Sequence, residues 1–235
     1  MPKAAVNRLS SARNVDIEIR AVLFDLDGTL VDSAPDLAGA ANEMRALSGL
    51  PALPFELLRP VVGTGARGML EVALSVLPSD AGFERLREEF LGRYEARMLQ
   101  STVLFAAVDA LLESLQCRDL PWGIVTNKAE RFAMPLTRAL GLHSRAAAVI
   151  AGDSTPFSKP HPGPLLEAAR RVGVDPRHCV YVGDDLRDVE AGRAAGMTTV
   201  AAAWGYLGRG APIRDWGADI VVESPDQVLK SLGLA

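Results

Sequence analysis

Two carboxylates, Asp25 and Asp27, follow the apolar run Ala21-Val22-Leu23-Phe24 and precede Gly28-Thr29-Leu30. Acids this close repel one another unless a cation or a proton lies between them. Three later segments also end an apolar run or a turn in polar groups. They are Thr126-Asn127, Lys159 in Ser158-Lys159-Pro160-His161, and Gly183-Asp184-Asp185 with Asp188 beyond. Taken singly, each has a plain reading: an acidic turn, a turn hydroxyl, a solvated cation. Taken together they form a chemical set. A carboxylate can attack as a nucleophile, and a second can move the proton. Further carboxylates can hold Mg²⁺ through oxygen. A hydroxyl, an amide and a lysine can bind phosphate oxygens. This set is what phosphoryl transfer requires.

These groups act together only if the fold brings them together. Val22, Leu23 and Phe24 form a continuous apolar run, as expected for a buried strand of a parallel sheet covered on both faces. Asp25 and Asp27 then fall at its carboxyl end, where open α/β sheets place their ligands, and Gly28 permits a tight turn there. Further strands are predicted at 122–127, 147–151, 179–182, 197–203 and 219–222. They alternate with helices at 108–115, 130–140, 162–172 and 188–195, and a segment at 225–232 closes the chain. That alternation implies a doubly wound, mostly parallel, Rossmann-like α/β sheet. Thr126, Asn127, Asp184 and Asp185 then share one sheet edge with Asp25 and Asp27.

Between the first strand and this alternation, no strand signal appears from Val31 to Gln100. Helices are predicted at 35–47, 54–61, 69–77 and 83–100, with a glycine-rich break at Gly63-Thr64-Gly65-Ala66-Arg67-Gly68. A simple crossover needs only a dozen or so residues, so this block reads as an inserted all-helical cap domain. The expected division is a flexible N-terminal tail at 1–18, an α/β catalytic core at 19–32 and 102–235, and the helical cap at 33–101.

The 235 residues are 49% hydrophobic and 23% charged, with a net charge of −4. This is ordinary globular composition. With no basic block, nucleic acid is not an expected partner. No apolar run approaches the roughly 20 residues that cross a membrane. Cys117 and Cys179 match no metal spacing and are expected as buried thiols in a reducing, cytoplasmic setting. Residues 1–14 carry Lys3, Arg8 and Arg13 without an acid, faintly like a transit peptide, and read as an irregular extension.

The stretch Phe24-Asp25-Leu26-Asp27-Gly28-Thr29-Leu30, then Thr126-Asn127, Lys159-Pro160 and Gly183-Asp184-Asp185 with Asp188, resembles the four ordered motifs of the haloacid dehalogenase superfamily. The likeness spans nearly all of the chain after the tail, and the helical insert looks like that family's cap. Within the family the chain is most similar to the phosphoglycolate phosphatase group. Residues 122–132, 183–196 and Trp216-Gly217-Ala218-Asp219 look closest to a bacterial branch acting on N-acetylmuramic acid 6-phosphate. The resemblance implies Mg²⁺ dependence and an aspartyl-phosphate intermediate. It implies that Asp25 is the nucleophile and Asp27 the acid and base. Mg²⁺ would be bound by Asp25, the Asp27 carbonyl and Asp184, with Asp185 and Asp188 close by. It further implies that Gly28, Thr126, Asn127 and Lys159 surround the phosphoryl group.

Other chemistries of the family sort by residue. Dehalogenase members lack the acid two places after the nucleophile, so Asp27 argues against them. Phosphonate-cleaving members need a cap lysine, and the lysines here are Lys3, Lys128, Lys159 and Lys230. Sugar-phosphate mutases of the beta-phosphoglucomutase type keep all four motifs and stay open. Signalling receiver domains share an acidic pair, a Thr and a Lys, but their acidic pair comes early, and here Asp184-Asp185 follows Lys159. The expected partner is a small phosphate ester bearing a carboxylate or a sugar, with the protein a monomer or homodimer. Arg67, in the glycine-rich break, is the candidate for a substrate carboxylate or second phosphate.

Overall fold

The computed structural model describes residues 18–234. The segment expected as a tail therefore lies outside the described residues, apart from Glu18. In chain order, β1 (Ala21–Phe24) and β2 (Val31–Asp32) lead into helices α1 (Ala34–Leu47) and α2 (Phe55–Leu58). A 3₁₀ turn (Arg59–Thr64), α3 (Gly65–Leu74) and α4 (Phe83–Arg97) follow. The chain returns through β3 (Val103–Leu104), α5 (Val108–Gln116), β4 (Trp122–Val125), α6 (Glu130–Ala139) and β5 (Ala148–Ile150). It ends with α7 (Gly163–Val172), β6 (Cys179–Gly183), α8 (Leu186–Ala194), β7 (Thr198–Ala202), β8 (Ile220–Val222) and α9 (Gln227–Ser231).

Six strands form one sheet in the order β5-β4-β1-β6-β7-β8, and every pairing is parallel. β1 lies between β4 and β6, with Phe24 opposite Ile124 on one side and Val182 on the other. The strand ends that carry Asp25, Thr126 and Asp184 are thereby adjacent. Alternate residues of β1 face opposite layers. Val22 and Phe24 pack with Leu112 of α5 and Leu136 of α6, while Ala21 and Leu23 pack with Leu165 of α7 and Ala191 of α8. This is the doubly wound α/β arrangement predicted from the continuous apolar strands.

The segment from α1 to α4 is helical throughout and has an apolar cluster of its own, built around Met44, Met69, Phe90 and Tyr94, to which Phe132 and Tyr206 add from the sheet side. The chain enters and leaves it through the short antiparallel pair of β2 with β3. Asp36 in the first turn of α1 ties the exit to the entrance. Its Oδ2 accepts from the Ser101 and Thr102 amides at 3.0 and 2.9 Å and from Thr102 Oγ1 at 2.9 Å.

Three local expectations change. The helix expected at 54–61 stops after Leu58 and tightens into the 3₁₀ turn, because Pro60 has no amide to donate to the Glu56 carbonyl and its ring crowds that carbonyl. The glycine-rich break is correspondingly short: α3 starts at Gly65 rather than 69, so Arg67 lies in its first turn. Cys179 is buried as expected, but Cys117 is exposed, since it follows α5 on the side turned from the sheet. Among the described residues no helix is long and apolar enough to cross a membrane.

Candidate active site

The acidic groups of the first and last motifs meet at the carboxyl edge of the sheet. Asp25, Asp184 and Asp188 each offer a carboxylate oxygen, and these oxygens lie within 4.8 Å of one another in a buried site. Two glycines make room for them. Gly28 has φ +85, a conformation open to glycine, and a Cβ there would overlap the Asp184 carboxylate; a Cβ at Gly205 would overlap it from the other side. Asp184 is held by Thr29 Oγ1 at 3.0 Å and the Tyr206 amide at 2.7 Å. Asp188 closes a capping box at the start of α8, its Oδ2 accepting from the Asp185 amide at 3.1 Å.

Lys159 is the cation of the cluster. Its Nζ lies 2.8 Å from Asp25 Oδ1 and 2.7 Å from Asp188 Oδ1, and also donates to Tyr181 Oη at 2.8 Å and the Val125 carbonyl at 3.1 Å. Asn127 anchors this lysine: Nδ2 donates to the Lys159 carbonyl and Oδ1 accepts from the Lys159 amide, both at 2.9 Å. Thr126 Oγ1 accepts from the Lys128 amide at 3.1 Å. The hydroxyl proton of Thr126 thus stays available for an incoming oxygen.

The electrostatics favour a cation here. Burial pushes Asp25 up to about 7; Lys159 opposes that rise, while Asp188 and Asp27 add to it. Burial also carries Asp184 well above the ordinary carboxylate range, with the charges of Asp25 and Asp188 adding to the effect. For Lys159, burial works against the charge, but Asp188 and Asp25 outweigh it and its pKa is raised. Asp25 Oδ1 is buried and receives no well-directed hydrogen bond. Three hard oxygen donors with excess negative charge suit Mg²⁺, so the residues present fit that ion. Asp185 lies beside the cluster rather than in it. Arg187 holds it in two places, Nε on Oδ1 and Nη2 on Oδ2, both at 2.8 Å, and the same Nη2 donates to the Gly63 carbonyl of the helical segment at 2.6 Å. Burial alone would raise the Asp185 pKa, but this guanidinium more than offsets it and the carboxyl is lowered.

Asp27 lines, with Asp25, Asp184, Asp188 and Lys159, a cavity of about 780 Å³ between sheet and helical segment. Lys128 Nζ reaches its two oxygens at 3.0 and 3.2 Å, and Ser33 Oγ donates to Oδ1. The Lys128 ammonium also lies 4.6 Å from the centroid of the Tyr94 ring on α4. Burial opposes the Lys128 charge, yet Asp27 and Tyr94 hold its pKa above the ordinary value. Arg67 is exposed and lines the far wall of the cavity. Lys128, Tyr94, Ser33 and Arg187 were not among the expected site residues. Lys128 could have been found, since it directly follows Thr126-Asn127 at a strand end. Tyr94 reads only as one more apolar residue of a helical stripe.

With this geometry, the relationship to known proteins is direct. A profile of haloacid dehalogenase-like hydrolases matches residues 19–196, and the chain belongs to that family. It is an enzyme of the phosphatase type within it. A phosphoglycolate phosphatase of Xanthomonas campestris pv. campestris is 51% identical over 210 residues, covering 89% of this chain and 94% of its own. An N-acetylmuramic acid 6-phosphate phosphatase of Pseudomonas putida is 43% identical over 219 residues, covering 93% of this chain and 98% of its own. The crystal structure of a predicted phosphoglycolate phosphatase from Haemophilus somnus superposes with a TM-score of 0.81 at 27% identity, over 92% of this chain and 98% of that one.

Proposed function

We propose that this chain hydrolyses small phosphomonoesters through an aspartyl phosphate on Asp25, with Mg²⁺ as cofactor. The observation that carries the reading is the buried cluster of Asp25, Asp184, Asp188 and Lys159 at the carboxyl edge of a parallel sheet, with Asp27 facing the cavity beside it. An Asp25 oxygen attacks phosphorus and the bond from phosphorus to the ester oxygen breaks. Asp27 gives its proton to the departing alkoxide. It then takes a proton from water, whose oxygen attacks phosphorus and frees Asp25 and inorganic phosphate. Thr126, the Asn127 amide and Lys159 bind the oxygens in transfer, with Gly28 leaving them room. Asp25, Asp184, Asp188 and the Asp27 carbonyl would hold Mg²⁺, with Asp185 alongside. The ion when bound supplies charge that offsets repulsion between the phosphoryl oxygens and the nucleophile.

For the leaving group, we favour a small carboxylate-bearing ester of the phosphoglycolate type, in keeping with the 51% identical relative. The second reading, an N-acetylmuramic acid 6-phosphate, draws on the 43% identical relative and on a cavity of about 780 Å³, larger than a two-carbon acid needs. In either case the helical segment serves as a lid over the leaving group. The test is hydrolysis of an aryl phosphate with and without Mg²⁺, followed by kcat/KM over a panel of phosphate esters. Turnover undiminished after exhaustive chelation contradicts the metal, and no ester turned over with metal present contradicts the function.

A further inference from the structure

Tyr94 carries a polar atom with no partner. The residue is 1% exposed and lines the cavity, yet its hydroxyl has no hydrogen bond of ordinary geometry, only the nearby Lys128 ammonium as a polar neighbour. Buried hydroxyls are normally satisfied, and one that is not calls for an explanation. Its neighbour Lys128 is in a related state. An ammonium has three donors, and the two oxygens of Asp27 account for two of them. Lys128 is itself held in place, its amide bonded to Thr126 Oγ1 and its stem packed so that the side chain is 8% exposed. A fixed cation and the ring of Tyr94 thus stand together at the cavity wall, the hydroxyl buried just behind it, beside the group assigned to protonate the leaving oxygen.

We propose that Lys128 and Tyr94 form the subsite for a carboxylate borne on the carbon next to the ester oxygen, which selects α-phosphooxy carboxylates. This deepens the proposed function and rests on it. The leaving oxygen must come within hydrogen-bond reach of Asp27. A carboxylate separated from that oxygen by a single carbon cannot lie far from Asp27 either. Once Asp27 has given up its proton, two carboxylates so placed repel unless a cation stands between them, and Lys128 Nζ, 3.0 Å from Asp27, is in that position. A lysine is a compact point charge with rotatable donors, suited to serving Asp27 and a substrate carboxylate at once. Tyr94 Oη supplies the second donor. A carboxylate further out on the leaving group, as on a substituted sugar, lies beyond this pair and falls to Arg67.

The experiment measures binding rather than turnover. The Mg²⁺-loaded protein is titrated calorimetrically with 3-phosphonopropionate and with propylphosphonate, which differ in the carboxylate alone and cannot be hydrolysed. The parent is expected to bind the first more tightly by about ten- to a hundredfold, the range of a hydrogen bond to a charged group. That preference should shrink toward unity in Tyr94→Phe and in Lys128→Met. A parent without the preference, or variants that retain it, overturns the subsite; loss of the preference in Arg67→Ala alone reassigns the carboxylate and overturns it equally. Tyr94→Phe removes one atom and keeps the ring, so it decides the matter even if Lys128→Met does not fold. Hydrolysis of an aryl phosphate by the same preparation separately reports the proposed function, so either idea can fail without the other.

Discussion

At the scale of single residues, the site stores repulsion for use. Asp25, Asp184 and Asp188 crowd together with Lys159 as their cation. In the metal-free protein, burial and mutual repulsion hold Asp25 and Asp184 protonated above the ordinary carboxylate range, Asp25 to about 7. The folded state then binds protons that the unfolded state has released, so stability falls as pH rises from the ordinary carboxylate range through about 7. Asp184→Asn should relieve this. The amide can keep both contacts, Oδ1 accepting from the Tyr206 amide and Nδ2 donating to Thr29 Oγ1. We expect metal-free Asp184→Asn to melt above the metal-free parent at pH 8 by about 3–6 °C, from roughly 1–2 kcal/mol of relief. The gain should fade by pH 5, and Mg²⁺ should no longer raise the variant's Tm. A lower Tm at both pH values would mean the carboxylate is needed for packing. The partner prediction concerns chemistry alone. Asp25→Asn should lower kcat by more than about a thousandfold while leaving the melting transition cooperative, because an amide does not attack phosphorus. Activity within tenfold of the parent, in material free of deamidation, would remove Asp25 from the nucleophile's place. Asp25 and Asp184 were legible in the sequence because each stands at the end of an apolar run, where the residue type is out of keeping with its neighbours. Lys128 was not legible as a partner of Asp27, because nothing in the chain between 27 and 128 says that the two strands are neighbours; the parallel pairing of β1 with β4 does.

At the scale of elements, the helical segment is fastened where it leaves and rejoins the sheet. The β2–β3 pair is only two residues long on each side, too short to be stable by itself. Asp36 supplies the rest. It is fully buried at the head of α1, accepts three hydrogen bonds from residues 101 and 102, and lies 3.7 Å from Arg97 Nε at the end of α4. Asp36→Ala strands these donors and leaves the guanidinium with less compensation. A cost of about 2–4 kcal/mol follows from orphaned buried donors and a broken partly buried pair. Urea unfolding should show the midpoint falling with m unchanged, and a loss below about 0.5 kcal/mol would mean that water replaces the carboxylate at little cost. Strand and helix periods revealed most of these elements, including the long helical insert. They did not reveal Asp36, since an acid in the first turn of a helix is ordinary for its interaction with the helix dipole, and only the fold places residues 101 and 102 against it. The end of α2 at Leu58 was likewise decided locally by Pro60, against an apolar pattern that runs on to Val62.

At the scale of the whole molecule, the two apolar cores enclose a cavity whose floor and roof differ in charge. The floor carries the carboxylates. The roof and rim carry arginines, but most of these are already engaged: Arg87 pairs with Glu84 and Glu88, Arg131 with Glu88, and Arg187 with Asp185. Arg67 is in no ion pair among the described residues, and it lines the cavity from the first turn of α3. It is the cation free to meet an anionic group carried at a distance from the ester. Arg67→Ala should therefore lower kcat/KM for a phosphate ester with a distal carboxylate far more than for an aryl phosphate with no second anion. If that pair is desolvated in the bound complex, the loss is about 2–4 kcal/mol, or roughly thirty- to a thousandfold. A two-carbon ester, whose carboxylate stays beside Asp27, should be affected no more than the aryl phosphate. Steady-state kinetics on the three esters, in parent and variant with matching circular dichroism, measures this. Equal losses on all three would make Arg67 a support of the helical segment itself. No loss on any would leave it a solvated side chain, and an ion released by rearrangement of Arg87 or Arg131 would then have to read the distal charge.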